Sequence, residues 1–201
     1  MKQVAVLISG RGSNLQSLID AAGDSYRIIL VVSNVEGAGG LEKARAAGIA
    51  TTVIPHTGPL GEKKTREAFD TEIDAALRAA GAELVVLAGF MRILSDGFVR
   101  GWEGRLINIH PSLLPAYKGT KVHERVIEAK ETLGGASVHF VVPELDAGPV
   151  IAQAKVPVHP SDTPQTLADR ILAVEHKLYP EALKLLASDK VKLENGLAVF
   201  R

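Results

Sequence analysis

The chain has 201 residues, 46% of them apolar and 23% charged, which suffices for a well-buried core and excludes a disordered protein. Twenty-three basic side chains balance twenty-three acidic ones, so no net field draws nucleic acid or an anionic membrane, and the expected partners are small molecules. The lack of cysteine excludes disulfides, thiolate metal sites and a thioester route for acyl transfer, and fits a cytoplasmic protein.

Apolar runs of strand length alternate with amphipathic stretches of helix length, the pattern of crossover units wound on a parallel sheet. The first strand is expected at Val4 to Ser9; its apolar run is too short for a signal peptide or a membrane span. Leu15, Leu18, Ile19 and Ala22 then share one helical face. Strands follow at Ile28 to Ser33 and Thr51 to Ile54, and Phe69, Ile73, Ala76, Leu77 and Ala80 form a second helical stripe closed by Gly81. Leu84 to Ala88 and Leu106 to Ile109 complete a minimum of five parallel strands. In the last third, Ser137 to Val142 and Val150 to Val158 read as strands joined by a tight turn at residues 145–149, and Asn195-Gly196 signals a hairpin. Thr163-Pro164 opens a long helix that Pro180 is expected to interrupt. The fold class is therefore α/β: a Rossmann-like, mostly parallel twisted sheet with helices on both faces and an antiparallel C-terminal addition. Residues 1–201 are expected to form a single domain, with a nucleotide-phosphate site in the N-terminal half and the catalytic site in the C-terminal half.

Three stretches carry chemistry. Ser9-Gly10-Arg11-Gly12-Ser13-Asn14 follows a strand and opens a helix, where free backbone N–H groups can hold a phosphate; the alternative is a tight turn with Ser13 or Asn14 capping. Leu15 stands where a dinucleotide fingerprint wants glycine, and Val32-Ser33-Asn34 ends the second strand without an acidic residue, so NAD is disfavoured and a monophosphate suits the loop better. In residues 106–115 the strand period of two puts Asn108 and His110 on one face at a strand's carboxyl end, where parallel sheets place ligands; an ordinary hydrogen-bonded histidine is the alternative. Asp146 lies in a turn, where acidic residues are common, yet a carboxylate could also orient and charge an imidazole.

Five ordered blocks, Val6 to Leu15, Leu87 to Leu94, Asn108 to Pro115, Ser137 to Val141 and Asp146 to Ile151, make the chain resemble the monofunctional, folate-dependent glycinamide ribonucleotide formyltransferases nearly end to end. The resemblance implies transfer of a formyl group from 10-formyltetrahydrofolate to the amine of glycinamide ribonucleotide in purine synthesis, with Asn108, His110 and Asp146 catalytic. It implies a ribonucleotide site at Gly12, Ser13 and Asn14 with Leu172, Ala173, Val174 and Glu175. It assigns the formyl donor to Arg66, Met91, Arg92, Ile93, Leu94, Asn108, and Val142, Pro143, Glu144, Leu145 and Asp146. On the residues alone, Glu175 sits at the edge of the apolar stripe of Leu167, Ile171, Val174 and Leu178, where a surface salt bridge would also suit it, and the residues from Phe90 to Leu94 could be ordinary core. Direct amine attack with no covalent enzyme adduct is expected, without a metal. Arg11 and Lys121 depart from the family pattern; Arg11 either adds a cation to the phosphate loop or points to solvent. His139 is expected to support the folate side. A formyltransferase acting on methionyl-tRNA or a formylfolate deformylase shares the Asn-x-His and Asp constellation, but the short, neutral chain argues against both. A non-catalytic nucleotide-phosphate binding protein is the alternative of another class. The oligomeric state is left as monomer or homodimer.

Overall fold

A computed structural model describes residues 1–58 and 61–201. Seven strands form one sheet in the order β3-β2-β1-β4-β5-β6-β7: β1 (Lys2–Ile8), β2 (Tyr26–Ser33), β3 (Ala50–Val53), β4 (Leu84–Leu87), β5 (Leu106–His110), β6 (Leu133–Phe140) and β7 (Val150–Pro157). The first five pair in parallel, while β6 and β7 are antiparallel additions. The hairpin signal at Asn195-Gly196 joins β8 (Val191–Glu194) to β9 (Leu197–Phe200), which form a separate two-stranded sheet. After β3 the chain returns to the other side of β1, so the strand order reverses between β1 and β4, the place where open α/β sheets leave a crevice at their carboxyl ends.

Alternation along β1 sorts its side chains between two cores. Val4, Val6 and Ile8 pack with α1 (Ser13–Asp20), α2 (Gly39–Ala46), α5 (Val122–Glu128) and α6 (Pro164–Ala187); Ala5 and Leu7 face α3 (Arg66–Ala79) and α4 (Asp96–Gly101). The two faces are covered unequally. In the layer under α3 and α4, β5 contributes Leu106 to the described buried apolar residues and β6 and β7 contribute none. The far half of that face is therefore left to loops, and polar side chains can stand on it.

The long helix corrects one expectation: α6 runs without interruption from Pro164 to Ala187 with Pro180 inside it. Proline removes one ladder hydrogen bond, but Tyr179, Pro180, Ala182 and Leu183 are all buried, and the Tyr179 hydroxyl donates to the Leu87 carbonyl at 2.7 Å. Packing on both sides of the break outweighs the lost bond. β6 also starts at Leu133, earlier than the expected Ser137, because its Gly134-Gly135 pair reads locally as a turn. A Cβ on Gly135 would lie 2.1 Å from the Ala154 carbonyl oxygen, so the neighbouring strand, not a bend, requires that glycine. Between β6 and β7 the connection spans residues 141–149, a longer loop than the tight turn expected.

Candidate active site

Antiparallel pairing of β5 with β6 sets Asn108 opposite His139 and His110 opposite Ser137, so four polar side chains stand together on the face that α3 and α4 leave uncovered. The 141–149 loop brings Asp146 to this patch: its Oδ2 lies 3.4 Å from His110 Nδ1 and its Oδ1 3.8 Å from His139 Nε2. The Gly119 backbone N–H donates to the same Oδ2 at 2.9 Å, which holds the carboxylate in place.

Hydrogen-bond logic fixes the protons. His110 Nε2 donates to the Tyr117 carbonyl at 2.9 Å, since a carbonyl can only accept, and Nδ1 faces a carboxylate. Each ring nitrogen therefore has an oxygen acceptor beside it. His139 differs: its Nδ1 donates to the Phe140 carbonyl at 2.9 Å, and burial pushes the ring's pKa below the usual histidine value. The remaining lone pair on Nε2 accepts from Asn108 Nδ2 at 3.5 Å. A neutral His139 thus turns the Asn108 amide so that its other N–H is available to a ligand.

The loop that carries Tyr117 is held by a buried hydroxyl. Ser137 Oγ donates to the Ser112 carbonyl at 2.6 Å and accepts from the Leu114 N–H at 3.0 Å and from Gln153 Nε2 at 2.7 Å. Every bonding position of that hydroxyl is used, so the segment after His110 is fastened to β6 and β7.

These groups open into a cavity of 610 Å³ whose lining includes Asn108, His110, His139 and Asp146. Its apolar wall comprises Met91, Ile93 and Leu94, with the charged Arg92 among them, on one side and Val142, Pro143 and Leu145 on the other. Leu94 belongs to the buried core, whereas Met91 and Ile93 are exposed. Arg66 and Glu144 lie outside the lining: Arg66 begins α3 and is exposed, and Glu144 faces Lys118 at 3.6 Å. Lys121 is exposed at the cavity's rim.

The wall is pinned at both ends. The Met91 N–H donates to Ser9 Oγ at 2.8 Å, and that hydroxyl donates to Asn34 Oδ1 at 2.5 Å, so the ends of β1 and β2 hold the loop after β4. At the other end the Ser95 N–H donates to Asp70 Oδ2 at 2.5 Å, and Ser95 Oγ caps α4. Burial pushes the Asp70 carboxyl above its ordinary pKa, with the Ser95 hydrogen bonds opposing the shift. Phe69 stacks on Phe90 with ring centroids 6.4 Å apart, and the Arg92 guanidinium lies 5.8 Å from the Phe69 ring centroid. The first turn of α3 therefore clasps the whole 90–95 segment.

At the β1 end, Gly12 adopts φ 71° and no side chain caps α1 among the described residues, so the N–H groups that precede the first helical bond, Gln16 N–H to the Gly12 carbonyl, remain available to an anion. A Cβ on Gly12 would sit 2.5 Å from Gly40 Cα, since the start of α2 packs against this loop. Arg11 is exposed. Asn14 Nδ2 donates to Glu175 Oε2 at 2.8 Å, so Glu175 is not the surface salt bridge that its helical position allowed. It is 7% exposed, and burial raises its carboxyl pKa while Asn14 partly counters the shift. Asn14 Oδ1 is buried with no protein partner, a free acceptor beside the phosphate loop. Leu172 and Val174 are half-buried and Ala173 is exposed, all three directly preceding Glu175 on α6.

Sequence reasoning missed Asp70, Asn34, Gln153 and the cavity-lining His123. An acidic residue within a helical stripe and an amide at a strand end each had only weak signals, and the Tyr117 carbonyl had none.

The formyl transferase family matches residues 2–183. The chain is 46% identical over 198 residues to the phosphoribosylglycinamide formyltransferase of Escherichia coli, covering 97% of this chain and 92% of that one. It is 51% identical over 198 residues to the trifunctional purine biosynthetic protein adenosine-3 of Bos taurus, covering 96% of this chain but spanning only 19% of that relative's length. Among solved structures, glycinamide ribonucleotide transformylase 1 from Symbiobacterium toebii superposes with a TM-score of 0.93 at 39% identity, covering 100% of this chain and 94% of that one. With the family match spanning nearly the whole chain, this chain belongs to the formyl transferase family.

Proposed function

We propose that this chain transfers the formyl group of 10-formyltetrahydrofolate to the primary amine of 5′-phosphoribosylglycinamide, in the purine pathway of the cytoplasm. The observation that carries the reading is the meeting of Asn108, His110 and Asp146 in one cavity with an apolar wall, beside the carboxyl ends of β4 and β5. The ribonucleotide's phosphate sits at Gly12, Ser13 and Asn14 and its glycinamide part extends past Glu175 toward the cavity. The pterin fills the slot between residues 91–94 and 142–146.

The uncharged amine adds to the formyl carbon, forming a C–N bond while the carbonyl oxygen becomes an oxyanion. Asn108 Nδ2 and His110 Nε2 donate to that oxyanion, each such donor contributing roughly a hundredfold to a thousandfold in rate. His110 Nε2 is engaged by the Tyr117 carbonyl in the ligand-free arrangement, so that carbonyl must yield when substrates enter. Asp146 stabilises the charged ring. Collapse of the intermediate breaks the bond to the folate nitrogen, which leaves as an amine after receiving the proton lost by the attacking amine, through His110 or water. Reaction through the cavity leaves no covalent enzyme intermediate.

The test offers the folate donor with phosphoribosylglycinamide, methionyl-tRNA or water as acceptor. Formyl transfer to the ribonucleotide alone is expected, and His110→Ala lowers turnover far more than it alters either KM. Formyl release to water at the same rate, or an undiminished turnover in His110→Ala, refutes the proposal.

A further inference from the structure

Three exposed large apolar side chains line the cavity that holds Asn108, His110 and Asp146: Met91 is 78% exposed, Ile93 60% and Leu145 53%. Such a cluster is a surface prepared for a flat ligand. One member differs chemically, because the Met91 thioether is open to small oxidants whenever the slot is empty. The backbone at this position is anchored, since its N–H is held by Ser9 Oγ at 2.8 Å and the segment's far end is fixed by Asp70, so the side chain stays at the wall. The chain has no cysteine and only two methionines, so Met91 and Met1 carry all its sulfur, and no thiol competes for the oxidant.

We propose that Met91 is a peroxide-sensitive modification site: oxidation to the sulfoxide weakens binding of the formyl donor, and bound donor shields the sulfur. The inference rests on the assignment of this slot to the folate. A sulfur lone pair attacks one oxygen of hydrogen peroxide, forming the S–O bond as the O–O bond breaks, and the departing hydroxide takes the proton from the sulfur-bound oxygen, leaving sulfoxide and water. Sulfur is oxidised by two electrons and peroxide is reduced. The product replaces an apolar, adaptable side chain with a strongly polar one on the pterin wall, where its dipole loses water when the ligand binds. A methionine sulfoxide reductase with a dithiol reverses the change, yielding thioether, disulfide and water.

The experiment treats the full chain with hydrogen peroxide, maps oxygen uptake at Met91 and Met1 by peptide mass spectrometry, and measures both KM values. Oxygenation of Met91 is expected to raise the donor KM roughly tenfold, equivalent to about 1.4 kcal/mol, with less than about a twofold change in the KM of the ribonucleotide. Saturating donor slows oxygenation at Met91 but not at Met1, reductase treatment restores the donor KM, and Met91→Leu keeps its own untreated rate after peroxide. An unchanged donor KM with Met91 fully oxygenated, or an equal loss in Met91→Leu, overturns the proposal while leaving formyl transfer intact. A chain that neither binds folate nor transfers formyl before treatment overturns the functional reading as well.

Discussion

Replacing Asp146 by asparagine tests the charge pair without dismantling the site. The amide oxygen in the Oδ2 position can keep the Gly119 N–H and still face His110 Nδ1, with the amide nitrogen turned toward His139 Nε2. His110 then remains in place but no longer faces a full negative charge. At 3.4 Å and an effective dielectric of 20, the gross attraction between the two charges is about 5 kcal/mol. Both side chains are 7% exposed, so solvent screens little of it, but the asparagine dipole restores part. The net loss falls in the charge-assisted range of about 1.5–3 kcal/mol, or roughly a tenfold to 150-fold drop in kcat. Steady-state formyl transfer, with folding checked by thermal melting, reads the outcome. Asp146→Ala should be worse, because it also frees the ring and leaves Gly119 unbonded. An Asp146→Asn variant within about threefold of the parent kcat would refute a role for the pair.

Gly12→Ala brings a Cβ 2.5 Å from Gly40 Cα at φ 71°; about 1–3 kcal/mol of overpacking should lower Tm, and the ribonucleotide KM should rise about tenfold while the donor KM holds. Glu175 gives a pH-dependent effect. Burial raises its folded pKa above the ordinary 4.5, so the stability tied to its protonated form is fully present below that value and is lost as pH rises through the folded pKa. Glu175→Gln should therefore match the parent Tm in acid, exceed it at neutral pH, and still raise the ribonucleotide KM; a lower neutral Tm contradicts the sign. Asp70→Ala leaves the Ser95 N–H without its acceptor, costs about 1–3 kcal/mol in denaturant unfolding, and should raise the donor KM several-fold; Asp70→Asn, whose amide oxygen still accepts, should recover most of both.

The parallel half of the sheet was legible because β1, β2, β4 and β5 are buried runs with little else for a chain to do. Period-two spacing also gave the shared face of Asn108 and His110, and the hairpin at Asn195-Gly196 followed from turn chemistry alone. Where the reading failed, the deciding contact was distant in sequence. Pro180 reads as a break unless one knows that Tyr179 beside it reaches the carbonyl of Leu87 on β4. Gly134-Gly135 reads as a turn unless Ala154 is known to pass within van der Waals reach. Local propensity is a weak guide when tertiary packing supplies the larger energy.

The same division runs through the candidate site. Residues that offer their own side chains, such as Asn108, His110 and Glu175, leave a trace in composition and spacing, because a polar group on an apolar strand or helix edge needs a partner. Residues that act by holding backbone leave none. Ser9 and Asn34 differ little from any strand-end pair, yet together they hold Met91 in the wall, and Asp70 does the same from within an amphipathic helix. The proton on His110 Nε2 is directed by the carbonyl of Tyr117, an atom every residue type carries, so no sequence pattern could have located it. What the fold adds to the motif is thus chiefly restraint. It fixes which proton each ring carries and how far the wall can move, and these decide whether an amide, an imidazole and a carboxylate in one cavity can act on a single carbonyl oxygen.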